Sequence, residues 1–193
     1  MAMRLGLLWR DKGQHEEVDQ VRSRLVPGRD AYLANEMIVG RYHGWDVRLV
    51  DVSGLGPMKN FGRISYGSDV HGGVHVRVTI AIVRLAAPVR PLTLVPRQWD
   101  GPNIELHFAK PTGQEWVDAV FECDAIAPET ATAVADPAFA YALSQLPTGS
   151  GVELADQELR AAHGKLSLDE QEAFLHAAVS LAAAVPDALR AGG

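Results

Sequence analysis

Residues Val74 to Leu85, VHVRVTIAIVRL, alternate apolar and polar with a period of two. Val74, Val76, Val78, Ile80 and Ile82 fall on one side, and His75, Arg77, Thr79 and Ala81 on the other. In a run this rich in β-branched residues, that alternation predicts a strand, because a helix would scatter the same apolar groups around its whole circumference. We read it as a central strand of an antiparallel sheet, its apolar side facing the core.

The same patterns place other elements around it. Met37–Tyr42 and Trp45–Val52 are two extended runs separated by His43-Gly44, the spacing of a two-residue hairpin. Tyr42 and Trp45 would then face each other across it. Asp11–Leu25 carries Val18, Val21 and Leu25 at helical spacing and reads as a short surface helix stopped by Pro27-Gly28. Phe61–Tyr66 reads as a short strand inside the glycine-rich stretch 53–73.

Leu92–Val95, bracketed by Pro91 and Pro96, reads as an edge strand or an extended connector, since proline cannot donate to a ladder. Ile104–Phe108 alternates as another half-buried strand, and Val120–Ile126 as a further one. Toward the C-terminus the period changes. Asp136-Pro137 predicts a helix start with an acidic cap, and Phe139, Leu143 and Leu146 give its apolar stripe. His163-Gly164 reads as the turn of a second small hairpin. Ser167-Leu168-Asp169-Glu170 forms a capping box that launches a long helix with Phe174, Ala178, Leu181 and Val185 on one face, ended near Pro186.

Strands in hairpins come first and helices gather late, without regular β–α alternation. The fold class is therefore α+β: an antiparallel sheet built from hairpins, helices packed mainly on one face, and a long C-terminal helix. We read residues 1–193 as a single domain, with an alanine-rich, acidic helical part from about 127.

Composition narrows the setting. With 193 residues, 47% of them hydrophobic, the chain can bury a substantial core. No apolar run approaches the ~20 residues of a membrane span. The single cysteine, Cys123, excludes an intrachain disulfide framework, which makes the cytoplasm the expected location. The net charge of −6 is uneven. Residues 1–110 hold 15 basic against 11 acidic residues, and 111–193 hold 3 against 13. Such halves either neutralise each other across the fold or present different surfaces to partners. The basic residues are scattered, which argues against a nucleic-acid footprint.

No motif announces a reaction. Gly-x-Ser-x-Gly is absent, and in the glycine-rich stretch the lone Lys59 precedes Asn60 and predicted strands flank both sides, where a phosphate loop wants a helix opened by the glycines and a lysine followed by a hydroxyl. Three readings follow. The leading one is a non-catalytic protein-interaction or assembly module, acting with a protein partner or as a homo-oligomer and needing no cofactor, with Tyr42, Trp45, Trp99 and Trp116 as contact candidates. The alternative is a metal-binding protein or metal-assisted hydrolase. Asp69, His71 and His75 stand close in sequence, His107 could converge from a neighbouring strand, and imidazole and carboxylate suit a divalent ion. Against it, His71 lies beside Gly72, as His43 beside Gly44 and His163 beside Gly164, so these histidines suit turns. The third reading is a binder of small anionic ligands or lipid headgroups on the sheet face carrying His75, Arg77 and Thr79. Cys123, beside Glu122 and Asp124, reads as a buried core residue, because neighbouring carboxylates disfavour a thiolate.

Overall fold

The computed structural model describes residues 5–10, 25, 32–56, 74–99, 106 and 108–190. Eight strands form one sheet: β1 (Leu8–Arg10), β2 (Tyr32–Tyr42), β3 (Trp45–Gly56), β4 (Val74–Arg84), β5 (Leu92–Pro96), β6 (Phe121–Ala125), β7 (Gly151–Ala155) and β8 (Glu158–Gly164). Their order is β1-β2-β3-β4-β8-β7-β5-β6, and every neighbouring pair is antiparallel. The helices are α1 (Glu115–Val120), α2 (Pro128–Thr132), α3 (Pro137–Ser144) and α4 (Leu168–Ala183), with 3-10 turns at Ala133–Ala135 and Asp187–Leu189. The α+β class and the long C-terminal helix are as the sequence predicts.

The first four strands form a meander. At its β2–β3 turn, His43 (φ 50°) and Gly44 (φ 86°) both take positive φ, the twist that a two-residue hairpin turn needs. The Tyr42 ring meets His43 and His176, with centroids 4.3 and 6.4 Å away. After β4 the chain skips two places to lay down β5 and β6. The later hairpin β7–β8 then fills the gap, so residues on both sides of position 127 complete one sheet.

This topology corrects the reading of Leu92–Val95. The strand forms, but it lies between β6 and β7, with all five residues buried. Its prolines mark its ends and say nothing of an edge. The second hairpin is also real but turns one strand-length before the residues expected. Asp156 (φ 55°) and Gln157 make the turn, and His163-Gly164 belongs to β8. Helix α1 was not expected at all. Of Ile104–Phe108, Leu106 and Phe108 are not in a strand, and the other three residues lie outside the described ones, as do the strand read over 61–66 and all of the helix read over Asp11–Leu25 except Leu25, which is in a turn.

Both faces of the sheet are covered. Ala81 and Val83 on β4 and Leu85 just after it share one large core with Leu49, Leu154, Leu159 and Ala161 and with the helical residues Phe139, Leu143, Phe174, Leu175 and Leu181. Each fully buried large aliphatic or aromatic group there contributes about 1.5–3 kcal/mol. The face expected to be the main core, Val78–Ile80–Ile82, instead belongs to a smaller cluster with Val50, Val52, Ala162, Leu25 and the partly buried Trp99. Glycine at 151 makes that second layer possible. A Cβ there would meet Leu25 Cδ2 at 2.8 Å.

The helical layer starts where local signals place it. Asp136 accepts hydrogen bonds from the backbone N–H of Ala138 (2.9 Å) and Phe139 (3.1 Å), fixing the start of α3. Ser167 and Glu170 form the reciprocal capping box of α4.

Candidate binding face

Antiparallel pairing puts directly opposed residues on the same side of a sheet, so the register can be read across it. One row runs Val39–Arg48–Ile82–Arg160–Glu153–Thr93–Asp124, crossing β2, β3, β4, β8, β7, β5 and β6 in turn. It lies on the face opposite the helices. Five of its seven members are polar or charged.

Beside it runs a connected ion-pair ladder, made of Arg48, Arg160 and Glu153 from the row and Glu158, which stands opposite Arg84 in the β4–β8 register. Arg48 Nη2 reaches Glu158 Oε1, and the other carboxylate oxygen of Glu158 accepts from Arg160 Nε (3.0 Å) and lies 2.9 Å from Arg160 Nη2. Arg160 Nη1 continues to Glu153 Oε2 at 3.3 Å. Burial changes across this face. Glu153, Thr93 and Asp124 are sealed, whereas Arg48 and Glu158 are about a quarter exposed, at 27% and 21%. Beyond them, Arg41, Asp46 and Arg84 are exposed. Together with Gly40, Val47, Arg48, Ile82 and Glu158, these three line a half-open cleft of about 530 Å³.

The sequence-proposed sites fare differently. Thr79 is fully buried on the helical side. Its hydroxyl donates to Asp51 Oδ1 at 2.6 Å and accepts the backbone N–H of Leu166 at 3.3 Å. At this position the polar side of β4 is covered, and Thr79 ties β3 to the segment entering α4. It does not present its hydroxyl to a ligand. His75 and Arg77 hold β4 register positions opposite Leu55 and Ser53, and their side chains lie outside the described ones. Asp69, His71 and His107 lie wholly outside the described residues, so the proposed metal set is untouched by this geometry. Among the described residues, no group of three or more His, Cys, Asp or Glu could hold a metal ion.

Other polar candidates have structural employment. Burial pushes Asp118 up, but hydrogen bonds from the Thr112 backbone and hydroxyl and the Gly113 N–H, helped by Arg97, outweigh it and hold the carboxyl below its ordinary value. Glu122 pairs with Arg97 at 2.9 Å. Asp124 accepts the Phe108 N–H at 2.8 Å. The Cys123 thiol is pushed up to about 12, by burial first and then by Asp118 and Asp124. His163 sits at the end of β8 with ring nitrogens 3.1 Å from the carbonyls of Gly164 and Thr148. The aromatic contact candidates Tyr42, Trp45, Trp99 and Trp116 are half-buried against the two cores. Among the described residues, the exposed large apolar ones are Leu8, Phe108, Val120, Ile126, Tyr141 and Leu168.

The charged ladder escaped sequence reading because its members are far apart in the chain, from Arg48 to Arg160. The available signal was polar residues at inward strand positions, such as Glu153 between Val152 and Leu154.

The fold is thus that of an α+β protein on an eight-stranded antiparallel sheet with a helical layer on one face. Neither a protein-family model nor a curated protein matches the chain. Among solved structures, the crystal structure of the mycobacterial trehalose monomycolate transport factor A, TtfA, is similar, with a TM-score of 0.69. The likeness spans 100% of this chain and 93% of that one at 10% sequence identity, so what it shows is the fold. Among the described residues, no helix is long and apolar enough to cross a membrane.

Proposed function

We propose that the chain is a non-catalytic cytoplasmic module that works through protein contacts, as a homo-oligomer or within a complex. One observation carries this reading. Thr79, Asp118, Glu122, Asp124 and His163 are engaged in building the fold and Cys123 is buried, while large apolar side chains stand in solvent around β6. Phe108, Val120 and Ile126 are 50%, 42% and 66% exposed. They cluster in sequence around one outer strand, where Ala109 bridges to Asp124 and covers the backbone edge. An apolar fringe on a satisfied edge suits side-chain docking by a partner.

Two measurements test it together: sedimentation of the purified chain over a wide concentration range, and chemical crosslinking of the native protein in its own cells. A larger species in either, lost in Ile126→Asp but kept in Tyr141→Ser, supports the reading. A monomer in both counts against it. The metal-binding alternative at Asp69, His71, His75 and His107 is tested by metal analysis of the same preparation, and stoichiometric metal lost in His71→Ala and His75→Ala would favour it.

A further inference from the structure

The cleft at the open end of the ladder has a charge imbalance that its own contacts do not resolve. Three arginines line it, Arg41, Arg48 and Arg84, against two carboxylates, Asp46 and Glu158. Arg84 sits directly opposite Glu158 in the β4–β8 register. Yet both oxygens of Glu158 are already taken, one by Arg48 and the other by Arg160. Arg84 is exposed and forms no ion pair among the described residues. Arg41 spends one nitrogen on the Gly44 carbonyl at 3.0 Å and holds Asp46 only loosely, at 3.5 Å with both side chains largely in solvent. Such an exposed pair is worth little and gives way easily.

We propose that this cleft is an oxyanion site that takes a phosphoryl group, with Arg84 as its principal ligand and Arg41 as the second. A guanidinium offers a planar fork of donors that matches phosphate oxygens two at a time. The ladder provides the rigidity. Glu158 is pinned from two sides, so it does not swing over to neutralise Arg84, and Ile82 gives the cleft an apolar floor beside the charges. The volume lies within the range of small-ligand sites. The phosphoryl group comes either on a soluble small molecule or on a lipid headgroup. The site differs from the β4 face first considered, since Arg84 and Thr79 point to opposite sides of the sheet. It also does not rest on the protein-contact reading, whose residues lie at β6.

The test uses the full chain with three probes: inorganic phosphate, glycerol 3-phosphate, and vesicles of phosphatidylcholine with or without phosphatidic acid. Binding is followed by calorimetry and by vesicle sedimentation. Saturable binding that weakens with added salt and falls about tenfold or more in Arg84→Gln is the expected result, the loss that one charge-assisted hydrogen bond implies. Arg41→Gln falls less, and Arg190→Gln, an exposed arginine paired with Asp187 elsewhere, leaves binding unchanged. Binding of the two soluble probes identifies a small ligand, and sedimentation only with phosphatidic acid identifies a headgroup. No saturable binding of any probe, or binding retained in Arg84→Gln while its thermal unfolding matches the parent, overturns the proposal. So does an acidic peptide binding at Arg84 where no phosphate probe does.

Discussion

Arg160 and Glu153 stand directly opposite each other on β8 and β7, joined at 3.3 Å with their side chains only 9% and 5% exposed. Charges removed from water this completely are tolerated because each is answered: Arg160 bonds Glu153 on one side and Glu158 on the other. The consequence is asymmetric. Removing the cation takes from Glu153 and Glu158 the guanidinium they share, whereas removing one carboxylate leaves the cation its second partner.

Arg160→Met is therefore expected to cost about 3–5 kcal/mol, the usual loss when a buried pair is broken from one side. Glu153→Gln costs less, about 1–3 kcal/mol. Urea unfolding of both single variants and the double variant checks the coupling. The double variant should be more stable than the summed losses imply. Strict additivity would show that the two side chains act independently.

Thr79 tests the junction between sheet and helix. Thr79→Val keeps the shape but removes the bond to Asp51 and the acceptor for the Leu166 N–H. Leaving the buried Leu166 N–H without this acceptor costs about 1–3 kcal/mol, so the unfolding midpoint should fall accordingly. Thr79→Ser, which keeps the hydroxyl, should fall less. Equal losses in both would assign the effect to packing alone.

Asp118 sets an acid limb. Its folded pKa lies below the ordinary carboxylate value, so it adds stability above the unfolded value of about 3.9. That stability is lost as pH falls through the lower folded value. Glu170, held low first by the Ser167 hydroxyl and then by its backbone N–H, behaves in the same sense. In Thr112→Ala, nuclear magnetic resonance titration should show the Asp118 carboxyl moving up. An unmoved value would mean that the Thr112 hydroxyl bond contributes nothing.

Cys123 should be inert in the folded chain. With its thiol pushed up to about 12 and its side chain buried, it carries almost no thiolate near neutrality. Iodoacetamide at pH 8 should therefore label it only as fast as the protein opens, with full labelling in denaturant, as read by mass. Rapid labelling of native protein would contradict the burial.

How much of this the sequence reveals depends on the range of the interaction. The His43-Gly44 turn, the Asp136 cap and the Ser167–Glu170 box are local, and each stands where the residues predict it. Helix α1 is hidden because six residues hold little periodicity and its start is stabilised by the loop bonds of Asp118 to Thr112 and Gly113. The inward face of β4 was misassigned for a related reason. Alternation identifies two sides, but which side receives the helices depends on partners more than 80 residues away. The smaller residues Thr79 and Ala81 lie against the α4 entry and the larger Val78, Ile80 and Ile82 against Leu25 and Trp99. The charged ladder is the least legible feature, since only the strand order brings Arg48, Glu158 and Glu153 together.

A locked ladder beside an open cleft has a direct spectroscopic signature in the arginine side chains. The measurement is a titration of inorganic phosphate into the full chain, following the arginine Nε–H resonances of Arg41, Arg48, Arg84 and Arg160. The expected result is a saturable shift of Arg84, a smaller one of Arg41, and a stationary Arg160. Movement of Arg160 with or before Arg84, or uniform drift of all four, would contradict the division of this face into a structural ladder and a binding cleft.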